Sequence, residues 1–172
     1  MKHKVYIMDT NLLLCLVDSK NHGTVGSGEK WTKESLLELL EGVDSLGETV
    51  AIPLPMIIEG SNLIGHDKEI VAGENLIEIL NKTFNGNRPF REFKEQSLFW
   101  EDERIKEALN HWKDYIYNEL GLGDFLVLLL KDYYEDVKNF TVEIITGDNA
   151  LKSLEKTKLF KFRTKGSNRI VR

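Results

Sequence analysis

Residues 5–14, VYIMDTNLLL, contain the pattern that decides the expected fold. Residues 5–8 are apolar or aromatic throughout, as in a strand that is buried on both faces of a parallel sheet. Asp9, Thr10 and Asn11 then interrupt the apolar run before Leu12 resumes it. The chain thus carries a carboxylate directly after its first predicted strand, where a charge needs a structural or chemical reason.

Two further segments, residues 49–54 and 140–145, have the same apolar, β-branched character and are also predicted strands. Helical patterns lie between and after the strands, at residues 33–40, 57–63, 69–80, 101–120, 125–134 and 149–156. Strands that alternate with helices form a parallel sheet covered on both faces. We therefore expect the α/β class, as a three-layer α/β/α sandwich with a central parallel sheet.

The clearest helical pattern begins near Glu101 and ends at two glycines. Its apolar residues are spaced by three or four positions, which predicts one face in contact with the core: Ile105, Leu109, Trp112, Ile116 and Leu120. The same face is a weaker candidate for a dimer contact. Residues 158–163 are a candidate edge strand, and residues 18–30 are expected to form a flexible loop.

Length and composition favour one soluble domain over residues 1–172, because 172 residues with 41% hydrophobic side chains suffice for one core. The longest wholly apolar run, residues 125–130, is far shorter than the roughly 20 residues of a membrane span, so we expect a cytoplasmic protein. Cys15 is the only cysteine, which excludes an intramolecular disulfide.

Charge is distributed unevenly along the chain. Residues 150–172 contain eight Lys and Arg residues against one acid, Glu155, whereas the preceding residues contain 15 basic and 27 acidic side chains. A basic C-terminal end on an acidic body is compatible with a polyanionic partner, and also with a plain solvated terminal segment.

Four acidic residues follow predicted strands or open a predicted helix: Asp9, Glu59, Asp124 and Asp148. In an open α/β sheet the loops at the carboxyl ends of the strands converge on one rim, so all four can reach the same place. Each alone has an ordinary explanation, as a helix N-cap, a turn residue or a solvated side chain. Together they would repel one another unless cations neutralised them, and oxygen ligands suit Mg²⁺ or Mn²⁺.

This arrangement resembles the PIN-domain ribonucleases. The resemblance rests on VYIMDTNLLL near the start, Glu59 after the second strand, GLGDFLVLLL at residues 121–130 and IITGDNAL at residues 144–151. It implies a divalent-metal site at Asp9, Glu59, Asp124 and Asp148 that hydrolyses RNA, with Asn11 and Thr146 supporting the metal ligands. It also implies single-stranded or structured RNA as substrate. The family includes toxins of toxin-antitoxin pairs, so a small antitoxin protein and a homodimer are further expectations.

Two other classes stay open at this stage. A phosphatase of the haloacid dehalogenase type also has Asp after its first strand, but it needs a second Asp two residues later as general acid, where this chain has Asn11. A PIN-like module that binds RNA or protein without cleavage has no need for a repulsive cluster of four acids. A cleavage assay with Mn²⁺ separates these alternatives.

Overall fold

The computed structural model describes residues 2–26, 31–118 and 120–162. These residues form a parallel sheet of three strands, β1 Lys4–Met8, β2 Thr49–Ala51 and β3 Thr141–Ile145, in the order β2-β1-β3. In the register, Val5 lies opposite Thr49 on one side and Val142 on the other. The predicted α/β class with a parallel sheet is confirmed, and helices flank this sheet.

The helices connect and follow the strands. Their bounds among the described residues are α1 Thr10–Leu16, α2 Lys33–Ser45, α3 Leu54–Asp67, α4 Ile70–Phe84, α5 Lys94–Trp100, α6 Arg104–Leu109, α7 Leu122–Val137 and α8 Asn149–Leu154. Short 3-10 turns lie at Lys20–His22, Trp112–Asp114 and Ile116–Asn118. No helix of the described part has the length and apolar character needed to cross a membrane.

The central strand β1 divides the apolar interior into two clusters. Tyr6 and Met8 pack with α1, α2 and α4, whereas Val5 and Ile7 pack with α7 on the other face. The alternation follows from the period of two along a strand, which sends successive side chains to opposite faces. Burial on both faces explains why β1 is a continuous apolar run.

Strand β2 ends at Ala51, earlier than residues 49–54 predict, because the chain turns into α3 there. Pro53 occupies the N-cap position of α3, and Pro55 lies in its first turn. Proline is favoured in a first helical turn, where its missing N–H has no intrahelical partner to lose. The prolines therefore start the helix directly behind a short strand.

The predicted helix over residues 101–120 is wrong in its continuity. Helix α6 ends at Leu109, and the chain continues through 3-10 bonds such as Tyr115 N–H to the Trp112 carbonyl at 2.8 Å. This tighter winding changes which residues share a face, and Ile116 is 51% exposed instead of contacting the core. Leu120 remains buried, and the Trp112 indole donates to its carbonyl at 3.0 Å.

The predicted edge strand at residues 158–163 is also wrong over the described residues 158–162. The backbone N–H groups of Leu159 and Phe160 donate to the Asp132 carboxylate at 2.8 and 2.9 Å, and that of Phe162 donates to Asp136 at 2.8 Å. Because acids of α7 take these donors, they are not used in a ladder with β3. The segment lies against α7 instead.

The basic C-terminal end is only partly described. Arg163, Lys165, Arg169 and Arg172 lie outside the described residues, as do residues 27–30 of the predicted flexible loop. Within the described part, Lys158 pairs with Asp136 at 2.8 Å and Lys152 with Glu155 at 3.0 Å. These two lysines are therefore already paired with acids of the same chain.

Asp132 is expected to be essential for stability. Its side chain is fully buried, and besides two backbone N–H groups it accepts from the Lys131 ammonium at 3.0 Å. Asp132→Ala leaves a buried ammonium without its closest partner, so we expect a loss of about 3 kcal/mol in the free energy of unfolding. Urea denaturation measures this loss. Asp114→Ala, on the exposed 3-10 turn, is the control and should change stability by less than about 0.5 kcal/mol.

Candidate active site

Asp9 connects the end of β1 to the start of α1. It is the N-cap of α1, and its carboxylate accepts from the Leu12 N–H at 2.8 Å. The hydroxyl of Thr146, directly after β3, donates to the same carboxylate. Asp9 is only 4% exposed, so these two donors replace most of its contact with water.

Asp148 is the N-cap of α8, as its ordinary explanation predicts. One carboxylate oxygen accepts from the Ala150 N–H at 2.6 Å and the Leu151 N–H at 3.3 Å. The Asp148 N–H in turn donates to the Thr146 hydroxyl at 2.8 Å. The Thr146 hydroxyl therefore links the Asp9 carboxylate to the backbone that carries Asp148.

Glu59 lies in the second turn of α3, one turn later than the sequence suggests. It is exposed, and it accepts a hydrogen bond of 2.6 Å from the Thr10 hydroxyl in the first turn of α1. Helix α1 packs on α3 here, and a Cβ at Gly60 would meet Leu13 at 3.7 Å, an ordinary van der Waals contact. This role of Thr10 is not predicted from the sequence, because no local pattern separates Thr10 from Asn11.

Asp124 is not an N-cap. Gly121 occupies the N-cap position of α7, and Asp124 is the third residue of the helix. Its side chain is partly buried, and within the described residues no hydrogen bond or ion pair reaches its carboxylate. A carboxylate at the first turn of a helix benefits from the helix dipole, but this one has no direct donor.

The electrostatics link all four acids. Burial, followed by the charges of Asp148, Glu59 and Asp9, raises the pKa of Asp124 to about 6. Burial also raises the pKa of Asp9, opposed by the hydrogen bonds from Thr146 and Leu12 and reinforced by the charge of Asp148. Asp124 therefore lies within the electrostatic reach of the three other acids, at the carboxyl-terminal rim of the sheet.

The donor set suits a hard cation, although the side chains do not yet form a coordination shell. Across the described ranges, no three or more His, Cys, Asp or Glu side chains are arranged to hold a metal ion. Four carboxylates, one of them partly buried without a donor, nevertheless match the oxygen ligands that Mg²⁺ and Mn²⁺ prefer.

The two predicted supporting residues differ in their contacts. Thr146 bonds to Asp9 and to the backbone of Asp148, as a supporting side chain would. Asn11 is exposed, and no hydrogen bond connects it to any of the four acids in the part of the chain that is described. The support for Glu59 comes instead from Thr10.

Val25 and Gly26 pack against the loop that carries Thr146 and Asp148. Val25 and Trp31 form an antiparallel bridge, and a Cβ at Gly147 would overlap the Val25 side chain and approach the Gly26 nitrogen to 3.0 Å. Glycine is therefore required at position 147, because any side chain would push the two segments apart.

Comparison with protein-family profiles, with curated proteins and with solved structures finds no match to this chain. The assignment of a function therefore rests on the site.

The raised pKa of Asp124 predicts a pH-dependent gain in stability for Asp124→Asn. A carboxyl group with an ordinary pKa of 3.8 and a folded pKa of about 6 destabilises the folded state increasingly as the pH rises between those values, and fully above 6. In EDTA at pH 7.5, Asp124→Asn should raise the free energy of unfolding by about 1–2 kcal/mol, after allowance for solvent screening and the lost dipole interaction.

Urea denaturation at pH 4 and pH 7.5 measures this effect. The gain should be much smaller at pH 4, where folded Asp124 is protonated and the unfolded carboxyl, with its pKa of 3.8, is close to half protonated. The control is Asp114→Asn, whose side chain is 60% exposed and whose ion pair with His111 spans 3.8 Å. An equal gain at both pH values would contradict the cluster.

Proposed function

We propose that this chain is a divalent-metal-dependent endoribonuclease with the three-layer sandwich of the PIN type, which hydrolyses RNA phosphodiester bonds at Asp9, Glu59, Asp124 and Asp148. The observation that carries the proposal is the Asp124 carboxylate, which is partly buried, lacks a donor among the described residues and lies in the field of three other acids. Burial and neighbouring acids destabilise the charged form of such a group, and a bound cation would relieve this repulsion.

Mg²⁺ or Mn²⁺ held by these four acids would supply the polarisation of the phosphate and the activation of water. The chain supplies the orientation of the ligands. Thr146 aligns Asp9, the helix N–H groups of α8 align Asp148, and Thr10 aligns Glu59. In the proposed site these hydrogen bonds would orient Asp9, Asp148 and Glu59, which would reduce the cost of assembling like charges there.

A protein partner is part of the proposal. Helix α4 exposes Ile70, Val71 and Ile77, with 76%, 64% and 60% of each side chain accessible. Exposed apolar groups on one helix suit a homodimer contact or a small antitoxin. They also favour the second candidate, a PIN-like module that binds RNA or protein without cleavage, whereas nothing in the site favours the phosphatase.

Cleavage of single-stranded RNA tests the proposal directly. With Mn²⁺ we expect internal cleavage that EDTA abolishes, and Asp9→Asn or Asp124→Asn should each lower the rate at least about 100-fold, because each removes a charged ligand. Asp114→Asn is the matched control and should retain the parent rate. Undiminished cleavage in EDTA, or losses of only a few-fold in both variants, would exclude the site. RNA binding without cleavage would support the module, and hydrolysis of a phosphate monoester alone would support the phosphatase.

Thr146 provides a finer test. Thr146→Val removes the hydroxyl that joins Asp9 to the Asp148 backbone at almost constant shape, and we expect a 10- to 100-fold lower rate, roughly the effect of losing a residue that orients a metal ligand. Thr146→Ser keeps the hydroxyl and should restore most of the rate. Equal rates for the valine and serine variants would show that the hydroxyl does not position Asp9 for the reaction.

A further inference from the structure

A cavity of about 450 Å³ lies on the face of the sheet that carries Tyr6, against the loop that follows β3. Its lining combines aromatic, cationic, acidic and amide side chains, among them Lys4, Tyr6, Trp31, Glu143, Asn149 and Lys152. Cavities of this volume are typical of sites that bind small molecules and cofactors. None of these side chains takes part in the proposed metal site.

The cavity and the proposed metal site share the loop that follows β3. Thr146 and Gly147 line it, and Thr146 is the residue whose hydroxyl donates to Asp9. Asn149, another lining residue, directly follows Asp148. A molecule in the cavity would therefore lie against the loop that carries part of the acid cluster.

The charges of the cavity are already paired. Lys4 and Glu143 form an ion pair at 2.8 Å, and Lys152 pairs with Glu155 at 3.0 Å while donating to the Ile144 carbonyl at 3.1 Å. Paired ammonium groups offer little excess positive charge to a phosphate. They still supply donors, and Glu143 still supplies acceptors, to a neutral polar group.

The apolar part of the cavity suits a flat ring. Trp31, Leu39 and the sheet residue Ile145 line it, and Trp31 supplies an aromatic side chain. Bases stack on aromatic side chains irrespective of their sequence, because every base has a π face. A neutral heteroaromatic ring with polar edges matches both halves of this lining.

We propose that the cavity is a subsite for one unpaired nucleobase of the RNA strand, at a nucleotide adjacent to the phosphate that would bind at the proposed metal site. The inference rests on the proposed nuclease function, and it adds that the substrate strand must be unpaired there. A base inside a duplex is stacked and paired, so it would have to leave the helix before it could enter.

Binding without metal tests the subsite separately from catalysis. In EDTA, the indole N–H signals of ¹⁵N-labelled protein are followed during titration with a single-stranded hexaribonucleotide. The probes for comparison are the same strand with every base removed, and inorganic phosphate. The chain has three tryptophans, so substitution of each by Phe assigns the signals, and Trp100 serves as the internal reference.

We expect the Trp31 signal to move with the base-containing strand and to stay in place with the abasic strand and with phosphate. Equal movement with all three probes would show an anion site, and no movement with any of them would exclude the subsite. In a parallel measurement, Trp31→Leu should weaken binding of the hexaribonucleotide by about 5- to 100-fold, the effect of losing one stacked base. Trp100→Leu, on α5, should bind like the parent.

The parent protein gives the answer even if Trp31→Leu fails to fold. The Trp100 and Trp112 substitutions assign two of the three indole signals, so the Trp31 signal follows by elimination. The two proposals also fail differently. Cleavage with Mn²⁺ but no base-dependent shift of the Trp31 signal would reject the subsite alone. A base-dependent shift without cleavage would reject the nuclease function and keep the cavity as a base-binding site.

Discussion

The site depends on the two hydrogen bonds that the Thr146 hydroxyl makes. This hydroxyl donates to the Asp9 carboxylate and accepts from the Asp148 N–H, so one side chain joins the loops that follow β1 and β3. Parallel pairing of these strands brings both loops to the same rim, where Met8 lies opposite Ile145. Since Asp9 also caps α1 and Asp148 caps α8, two helix starts are positioned by the same few atoms.

The four acids differ in the hydrogen bonds that their carboxylates accept. Asp9, Asp148 and Glu59 each accept at least one hydrogen bond, whereas Asp124 accepts none from the described residues. Hydrogen bonds stabilise a charged carboxylate, while burial and neighbouring acids oppose it. Asp124 is therefore the acid whose charged form has the least support, and its pKa is raised to about 6.

In the proposed function, the neighbouring cavity would set the orientation in which a nucleotide strand binds. Val25 and Gly26 pack so closely on the loop after β3 that position 147 must be glycine. The bridge between Val25 and Trp31 accompanies this packing, and Trp31 lines the same cavity as Thr146, although about 115 residues separate the two along the chain. In the proposed function, a metal ion held by the acids would bind the phosphate, and the aromatic cavity would bind a base of the same nucleotide strand.

Predictions from the sequence succeeded where the pattern is local and strong. The apolar runs at β1 and β3, the apolar α7 and the capping role of Asp148 all follow from nearby residues. They failed where two local solutions compete. Residues 101–120 have a helical period, yet the chain winds into 3-10 turns after Leu109. Residues 158–162 have the composition of an edge strand, yet Asp132 and Asp136 take their backbone donors.

The sequence by itself determined the α/β class and the residues that end β1 and β3, because the alternation of buried strands and amphipathic helices is encoded within short windows. Only the tertiary structure decided which polar groups meet. Thr146 and Asp9 are 137 positions apart, and Thr10 and Glu59 are 49 apart, so their hydrogen bonds depend on strand pairing and helix packing. No local pattern distinguishes Thr10, which holds Glu59, from Asn11, which faces solvent, because that choice depends on how α1 rotates against α3.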